Sequence, residues 1–290
     1  MQTSIAISIG LPVALVIIML GLGLSLKFDD FTRVFTKPKP ILVGILCQVL
    51  LLPLFCLGLV YFSDLPASIA VGMMLLAASP GGTSATIFTH LARGDVALSL
   101  MLAAVTSLLA LVTIPIIANG SLMLFFGEAN TVYLQISQVL QIFAVAIVPA
   151  LVGVYIRSLY PAVAARLDRP VKTLATAFLA LVVIFALVSQ WKVAVQWAPA
   201  IGATVLTFNV ASLVVGYYAP RLMGVDRSQT VAIAMSVSIH NAALVIALAL
   251  SEYMLNNAEM AIPPALYGVI AYITGGVAVW LLNRGSVRAA

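Results

Sequence analysis

Long apolar runs separated by short charged segments dominate this chain. A helix that crosses the hydrocarbon core of a bilayer needs about 20 apolar residues, and a charge at its centre is costly. Nine runs without Asp, Glu, Lys or Arg approach or exceed this length, and each predicts one membrane-spanning helix. In chain order they are spans 1 to 9, at residues 4–26, 40–63, 65–92, 96–127, 129–156, 173–191, 193–220, 228–251 and 260–283.

Two of these boundaries need a further argument. The fourth run is too long for one span, and Asn119 and Gly120 after Pro115 favour an end near residue 118. We therefore expect Leu122 to Phe126 to lie along the membrane interface. The first run has no basic segment before it and no A-x-A-like cleavage site, so it is interpreted as a retained first helix and not as a signal peptide.

Composition supports a membrane protein. Charged residues make up 8% of the 290 residues and hydrophobic residues 63%, whereas a soluble domain has about 25% charged residues. The runs are apolar on every side, so the predicted fold class is an all-α polytopic membrane protein. Only two cysteines are present, which excludes a disulfide scaffold and a cysteine-based metal site.

The basic residues predict the orientation. With the N-terminus outside, 13 of the 14 Lys and Arg residues fall in cytoplasmic segments, and only Lys192 falls outside. We therefore expect a multi-pass protein of the inner, or plasma, membrane with an external N-terminus and a cytoplasmic C-terminus. The positive net charge belongs to these membrane edges, so the expected surroundings are lipid, and no nucleic-acid partner is expected.

Two spans carry helix-breaking or polar residues near their midpoints. Span 3 contains Pro80, Gly81 and Gly82, and span 8 contains the polar segment from Ser236 to Asn241. Irregular backbone at membrane depth is tolerated where it is buried in protein or lines water. Single residues of these kinds also serve ordinary helix packing, but two clusters at equal depth favour two broken helices.

The order of the spans predicts an inverted repeat. Spans 3 and 8 run in opposite directions and lie five spans apart, so spans 1 to 4 would match spans 6 to 9. Gln48 in span 2 and Asn209 in span 7 are a second matched pair. Broken helices in opposed repeats are typical of secondary transporters, which bind substrate and coupling ion where the breaks meet.

Titratable groups are scarce at that depth. All nine Asp and Glu residues fall outside the predicted spans, so a buried cation would have no carboxylate counter-charge. His240 is the only candidate proton carrier near a span midpoint.

Three segments carry a family resemblance. They are Met19 to Leu26, the pairing of Ser79-Pro80-Gly81-Gly82-Thr83 with Leu91-Ala92-Arg93-Gly94-Asp95, and Ile239-His240-Asn241. The chain strongly resembles the bile acid:sodium symporter family, and in particular its bacterial nine-helix members. The resemblance implies a core domain and a panel domain, with two helices that cross at their breaks. It places the core at about residues 40–63, 65–92, 96–118, 200–220, 228–251 and 260–283, and the panel at about 4–26, 131–156 and 173–191.

The same resemblance implies a function. Members carry organic anions such as bile acids, sulfo-conjugates and pantoate, so the expected activity is secondary active transport of a small organic anion by alternating access. No cofactor is expected beyond a coupling ion, Na⁺ or H⁺. The implied substrate-binding residues are Thr83, Ser84, Thr86, Ser238, His240, Asn241 and Tyr272.

The implied ion-binding residues are Gln48, Ser99, Ser236 and His240, and they depart from the family pattern. In sodium-coupled relatives the second break reads Glu-x-Gly-x-Gln-Asn, with the Glu between two sodium ions. Ser236 stands at the Glu position here and His240 at the Gln position. We therefore hypothesise that sodium coupling is weakened or lost, and that His240 serves a proton-coupled or uncoupled mechanism.

Two other functions compete with a transporter. Ser84 and His240 could meet at the crossing as the Ser–His dyad of an intramembrane protease. An anion channel would share the polar midplane but would conduct without saturation.

Overall fold

A computed structural model describes residues 38–287 except 83, 128–135, 190 and 252–253, together with isolated positions between 13 and 24. Within these ranges the chain is helical, and its one β-type contact is a single bridge between two residues. The all-α prediction is confirmed for this part of the chain. The elements are α1 Pro38–Ile45, a π-helix Leu46–Leu51, α2 Leu52–Tyr61, α3 Ala67–Ala78, α4 Ala85–Leu91, α5 Val96–Phe126, α6 Ile136–Leu159, α7 Pro161–Ser189, α8 Trp191–Leu222, α9 Arg227–Ser238, α10 Ala242–Leu250, a 3₁₀ helix Glu259–Ala261 and α11 Ile262–Val287.

Several of these helices suit a bilayer. Three continuous stretches in the described ranges are long and apolar enough to cross it: Pro38–Tyr61, Val195–Leu222 and Glu259–Arg284. A fourth is added if α5, which bends by 54° near residue 111, counts as one span. These four coincide with predicted spans 2, 7, 9 and 4. Predicted span 1 lies mostly outside the described residues, and the count of nine stays a prediction.

Helix α5 corrects one predicted boundary. We expected it to end near residue 118, but it continues through Asn119 and Gly120 to Phe126. Leu122 is buried in the core, and this packing keeps the last turns helical despite the weak helix formers before it. The helix ends at Gly127, whose φ of +72° lies in the left-handed region that glycine adopts without strain.

The two predicted interruptions are both present. Predicted span 3 consists of α3 and α4, and predicted span 8 consists of α9 and α10. α3 stops because Ser79 is extended before Pro80, which has no N–H to donate. α10 starts with a cap, since the side-chain oxygen of Asn241 accepts a hydrogen bond of 3.1 Å from the N–H of Leu244.

The interrupted helices lie at the centre of the molecule. Nearly every residue of α3 and α9 is buried, whereas large apolar side chains on the outer helices are exposed, as at Leu42, Ile116 and Ile273. An exposed apolar exterior around a buried centre is what a lipid-facing protein requires. α8 packs along α9 closely enough that a Cβ on Gly216 would come within 2.9 Å of the Cα of Ala234.

Candidate functional site

The two interrupted segments pair with each other through their backbones. The N–H of Gly82 donates to the carbonyl of Ile239 at 2.6 Å, and the N–H of Asn241 donates to the carbonyl of Pro80 at 2.9 Å. Gly81 and His240 form the antiparallel bridge between these bonds. Backbone groups that the breaks free from helical bonding are therefore satisfied at the crossing, as burial requires.

Glycine allows this approach. A Cβ on Gly81 would lie 2.9 Å from the carbonyl oxygen of Ser236, and one on Gly82 would lie 3.1 Å from that of His240. The predicted break residues Pro80, Gly81 and Gly82 thus have separate roles: Pro80 ends the helix, and the two glycines let the second chain approach.

Gln48 joins the first break to span 2. Its Nε2 donates to the carbonyl of Ser79 at 2.8 Å and lies 3.0 Å from Nδ1 of His240. Gln48 is 4% exposed and belongs to the π-helix, a rare form that is frequent at functional sites. Sequence reasoning named Gln48 as an ion ligand, and the structure places its amide on a carbonyl and an imidazole.

Asn209 makes the matching contact in the second break. Its Nδ2 donates to the carbonyl of Ser238 at 2.9 Å, and its Oδ1 accepts from the hydroxyl of Thr274 at 2.5 Å. The carbonyl of Ser238 accepts a second bond of 2.5 Å from the hydroxyl of Tyr267. In each break, the backbone carbonyl of the serine at the end of the first helix therefore accepts a hydrogen bond from an amide side chain of the preceding span.

His240 lies at the centre of the crossing. It is 5% exposed, and the rings of Phe208 and Tyr267 flank its imidazole at 5.4 Å each between centroids. Nδ1 is 3.3 Å from the carbonyl of Ser79 in addition to its contact with Gln48. Nε2 is buried and has no hydrogen-bond partner among the residues that the structure describes.

The remaining ion-ligand candidates bond to each other. Ser99 and Ser236 share a hydrogen bond of 2.8 Å between their hydroxyls, and they are 0% and 3% exposed. Carboxylates in the described ranges lie elsewhere: Asp95 caps α5, and Glu259 accepts a hydrogen bond from Ser68. A hard cation such as sodium prefers several oxygen ligands. In this arrangement the hydroxyls of Ser99 and Ser236 bond to each other, and Gln48 presents its amide nitrogen, not its oxygen, to Ser79 and His240.

The substrate-binding candidates fall into two groups. Ser238, His240 and Asn241 are buried at the crossing, at 8% exposure or less. Ser84 and Thr86 are partly exposed and Tyr272 is 54% exposed. Thr83 lies outside the described residues.

Ser84 and Tyr272 meet directly. The hydroxyl of Tyr272 donates to Oγ of Ser84 at 2.6 Å, and Phe88 packs edge-on against Tyr272. The Ser84 hydroxyl is therefore bonded to Tyr272, while Nδ1 of His240 contacts Gln48. The Ser84–His240 dyad of the competing protease hypothesis is not formed among the described residues.

Sequence reasoning missed two residues of the crossing. Thr106 of α5 accepts a hydrogen bond of 3.4 Å at its hydroxyl from the N–H of Gly81, and Phe208 packs on His240. A hydroxyl near the middle of an apolar run was the available signal for Thr106. Nothing in the sequence distinguished Phe208 from other apolar residues.

Comparison with known proteins identifies related transporters. The profile of the Sodium Bile acid symporter family matches residues 12–197. The Uncharacterized sodium-dependent transporter YocS of Bacillus subtilis (strain 168) is 28% identical over 257 residues, which cover 88% of this chain and 77% of that protein. The Probable sodium/metabolite cotransporter BASS1, chloroplastic, of Arabidopsis thaliana is 25% identical over 265 residues, 91% of this chain and 64% of that protein.

A human relative extends the comparison. The P3 protein of Homo sapiens is 25% identical over 215 residues, which cover 73% of this chain and 44% of that protein. The chain therefore spans less than two thirds of the plant and human relatives. The bacterial and plant relatives are both named as transporters, and neither is named as an enzyme.

Proposed function

The chain belongs to the sodium bile acid symporter family, and from this premise we propose that it carries a small organic anion across a membrane by alternating access. The family and the names of its relatives indicate a sodium-coupled membrane transporter. The observation that carries the finer proposal is the crossing, where two interrupted helices share backbone hydrogen bonds at Gly82 and Asn241. In secondary transporters, broken helices of opposed repeats typically form the substrate site where they meet.

The division into domains follows the same premise. We assign α1 to α5 and α8 to α11 to the core, and α6, α7 and the predicted first span to the panel. One buried apolar cluster supports the core, because it includes Cys47, Met73, Leu102, Phe208 and Tyr267, which come from five different predicted core spans or their breaks. A domain that moves as a rigid unit needs side chains from its different spans to pack together in this way.

The binding residues are proposed in two roles. Ser84, Thr86 and Tyr272 form the accessible side of the substrate site, with Thr83 beside them in sequence. Ser238, His240 and Asn241 form its buried side. No carboxylate from the described ranges bonds to His240 or to its neighbours Gln48 and Tyr267, which favours an anionic over a cationic substrate.

Sodium coupling is proposed to be weakened or lost. The hydroxyls of Ser99 and Ser236 satisfy each other at 2.8 Å, and Gln48 turns its nitrogen toward His240. Both contacts use up groups that the resemblance assigns to ion binding. Uptake should then depend little on a sodium gradient, with H⁺ as the remaining coupling ion or none.

Reconstituted proteoliposomes test both parts. Thermal-shift binding of pantoate and taurocholate, with sodium and with potassium, first identifies an anion that binds. Labelled uptake of that anion is then measured under a sodium gradient, a potassium gradient and a proton gradient. We expect saturable uptake that sodium does not stimulate beyond potassium.

The outcomes separate the competing hypotheses. Strong stimulation by sodium alone would contradict weakened coupling while supporting the transporter. Flux that rises linearly with anion concentration would favour the anion channel. Binding of neither anion would count against both substrate classes.

A further inference from the structure

The orientation of the Gln48 amide is set by its shortest contact. Nε2 lies 2.8 Å from the carbonyl oxygen of Ser79. With the amide reversed, two oxygens that only accept hydrogen bonds would face each other at this distance, which is repulsive. The NH₂ group therefore faces Ser79, and the same nitrogen is 3.0 Å from Nδ1 of His240.

This orientation decides the tautomer of His240. The two amide hydrogens of Gln48 are available for two acceptors, the carbonyl of Ser79 and Nδ1 of His240. A proton on Nδ1 would place two N–H donors against each other at 3.0 Å, whereas the alternative bond from Nδ1 to Ser79 is longer, at 3.3 Å. Nδ1 therefore accepts, and the neutral ring carries its proton on Nε2.

That proton lies on the one buried side-chain polar atom in the described ranges without a hydrogen-bond partner. His240 is only 5% exposed, and the rings of Phe208 and Tyr267 flank its imidazole. The hydroxyl of Tyr267 already donates to Ser238. A buried donor without an acceptor loses its hydrogen bonds to water without replacement, so its retention calls for an explanation.

We propose that Gln48 is a positioning residue, which holds His240 as the Nε2–H tautomer so that this N–H donates to an anionic oxygen of the transported substrate. The substrate half rests on the proposed function, and the tautomer half does not. An N–H at this point needs an acceptor and disfavours a cation, and among the organic anions of the proposed function that acceptor is a carboxylate or sulfonate oxygen. Gln48 then acts through His240.

Histidine NMR tests the tautomer directly. The chain has two histidines, His90 and His240, so a His90→Asn variant labelled with ¹⁵N,¹³C-histidine contains one imidazole. In liposomes we expect the shifts of a neutral ring protonated at Nε2. A ring protonated at Nδ1, or at both nitrogens near neutral pH, would overturn the proposal.

Variants at Gln48 test the positioning role. Gln48→Glu, of nearly the same shape, carries at most one proton where the amide nitrogen carries two, so it cannot donate to both Ser79 and Nδ1, and we expect Nδ1 to become protonated. Gln48→Met removes the donor. We again expect the proton on Nδ1, where it can be donated to the carbonyl of Ser79. Gln229→Met is the matched control, since Gln229 is 8% exposed on α9 and has no contact with His240 among the hydrogen bonds described above.

An Nε2–H tautomer that persists in Gln48→Glu would overturn the positioning role, even if Gln48→Met fails to fold. The ligand half is read in the His90→Asn protein with pantoate, taurocholate or potassium chloride added. We expect an organic anion, and not chloride, to shift Nε2. An Nε2 resonance that neither anion moves would overturn the substrate contact, while uptake measurements judge transport independently.

Discussion

Gly81 lies where the two interrupted segments come closest. A Cβ at this position would be 2.9 Å from the carbonyl oxygen of Ser236, and this neighbour is backbone that cannot rotate away. We expect Gly81→Ala to destabilise the protein by about 1–3 kcal/mol, as overpacking of a close contact does. The measurement is the thermal unfolding midpoint in detergent, together with uptake, both of which should fall.

Gly58 provides the matched control for this substitution. It lies within α2, and a Cβ there would meet nothing within 4 Å. Gly58→Ala should leave the midpoint unchanged or raise it, because alanine favours a helix by up to about 1 kcal/mol. Equal losses in the two variants would show that the crossing has no special steric requirement.

At the scale of single residues, local chemistry was predictable and pairing was not. Pro80 and the glycines after it predicted an interruption because proline lacks a donor and glycine tolerates close backbone. The contact of Gln48 with His240 joins residues 192 positions apart. Such a contact depends on the register of three packed segments, and no local pattern encodes that register.

At the scale of elements, the end of α9 is held by two donors on one carbonyl. Asn209 and Tyr267 both donate to Ser238, at 2.9 and 2.5 Å. Removal of either donor leaves the other, so Asn209→Leu or Tyr267→Phe alone should cost only about 0.5–1.5 kcal/mol. The double variant leaves a buried carbonyl unpaired and should cost more than the sum of the two single losses.

A double-mutant cycle of unfolding midpoints measures this coupling. Ser212→Ala serves as the control in place of Asn209→Leu, because the Ser212 hydroxyl bonds to Phe208 within its own helix. Its effect should add to that of Tyr267→Phe. Strictly additive losses in the cycle of Asn209→Leu and Tyr267→Phe would mean that the two donors contribute independently and do not substitute for each other at the Ser238 carbonyl.

The helix ends show which element boundaries a sequence can supply. The restart at Ala242 follows from Asn241, a preferred capping residue whose side chain accepts from Leu244. The extension of α5 to Phe126 was missed because burial of Leu122 outweighs the local preference of Asn119 and Gly120. Tertiary packing, absent from the local pattern, decided that boundary.

At the scale of the whole molecule, the two halves repeat the same contacts. Ser79 and Ser238 each donate a side-chain hydrogen bond to the carbonyl three residues earlier. The backbone carbonyl of each serine in turn accepts a hydrogen bond from an amide side chain of the preceding span. These paired contacts support the proposed inverted repeat, which rests on the order of the spans and the positions of the breaks. The donor is a glutamine in one half and an asparagine in the other, so the halves share the contact and not the residue.

One end of the molecule gathers residues predicted to be cytoplasmic. Arg227 at the start of α9 donates to the carbonyl of Leu282 near the end of α11, and Arg284 lies over the ring of Trp280. Basic residues beside aromatic rings at helix ends are typical of a membrane interface. This grouping supports a common side for these ends, which the predicted topology assigns to the cytoplasm.

Cysteine labelling in intact cells tests the orientation. Phe62 is 86% exposed at the end of α2 and should face outside, whereas Leu222 is 87% exposed at the end of α8 and should face the cytoplasm. A membrane-impermeant maleimide should therefore label Phe62→Cys at once, and Leu222→Cys only after permeabilisation. The native Cys47 and Cys56 are 1% and 0% exposed, so the unsubstituted chain serves as an unlabelled control. The reverse labelling pattern would mean that the predicted topology is inverted. Immediate labelling of both positions would place the ends of α2 and α8 on the same side and would contradict the predicted number of spans between them.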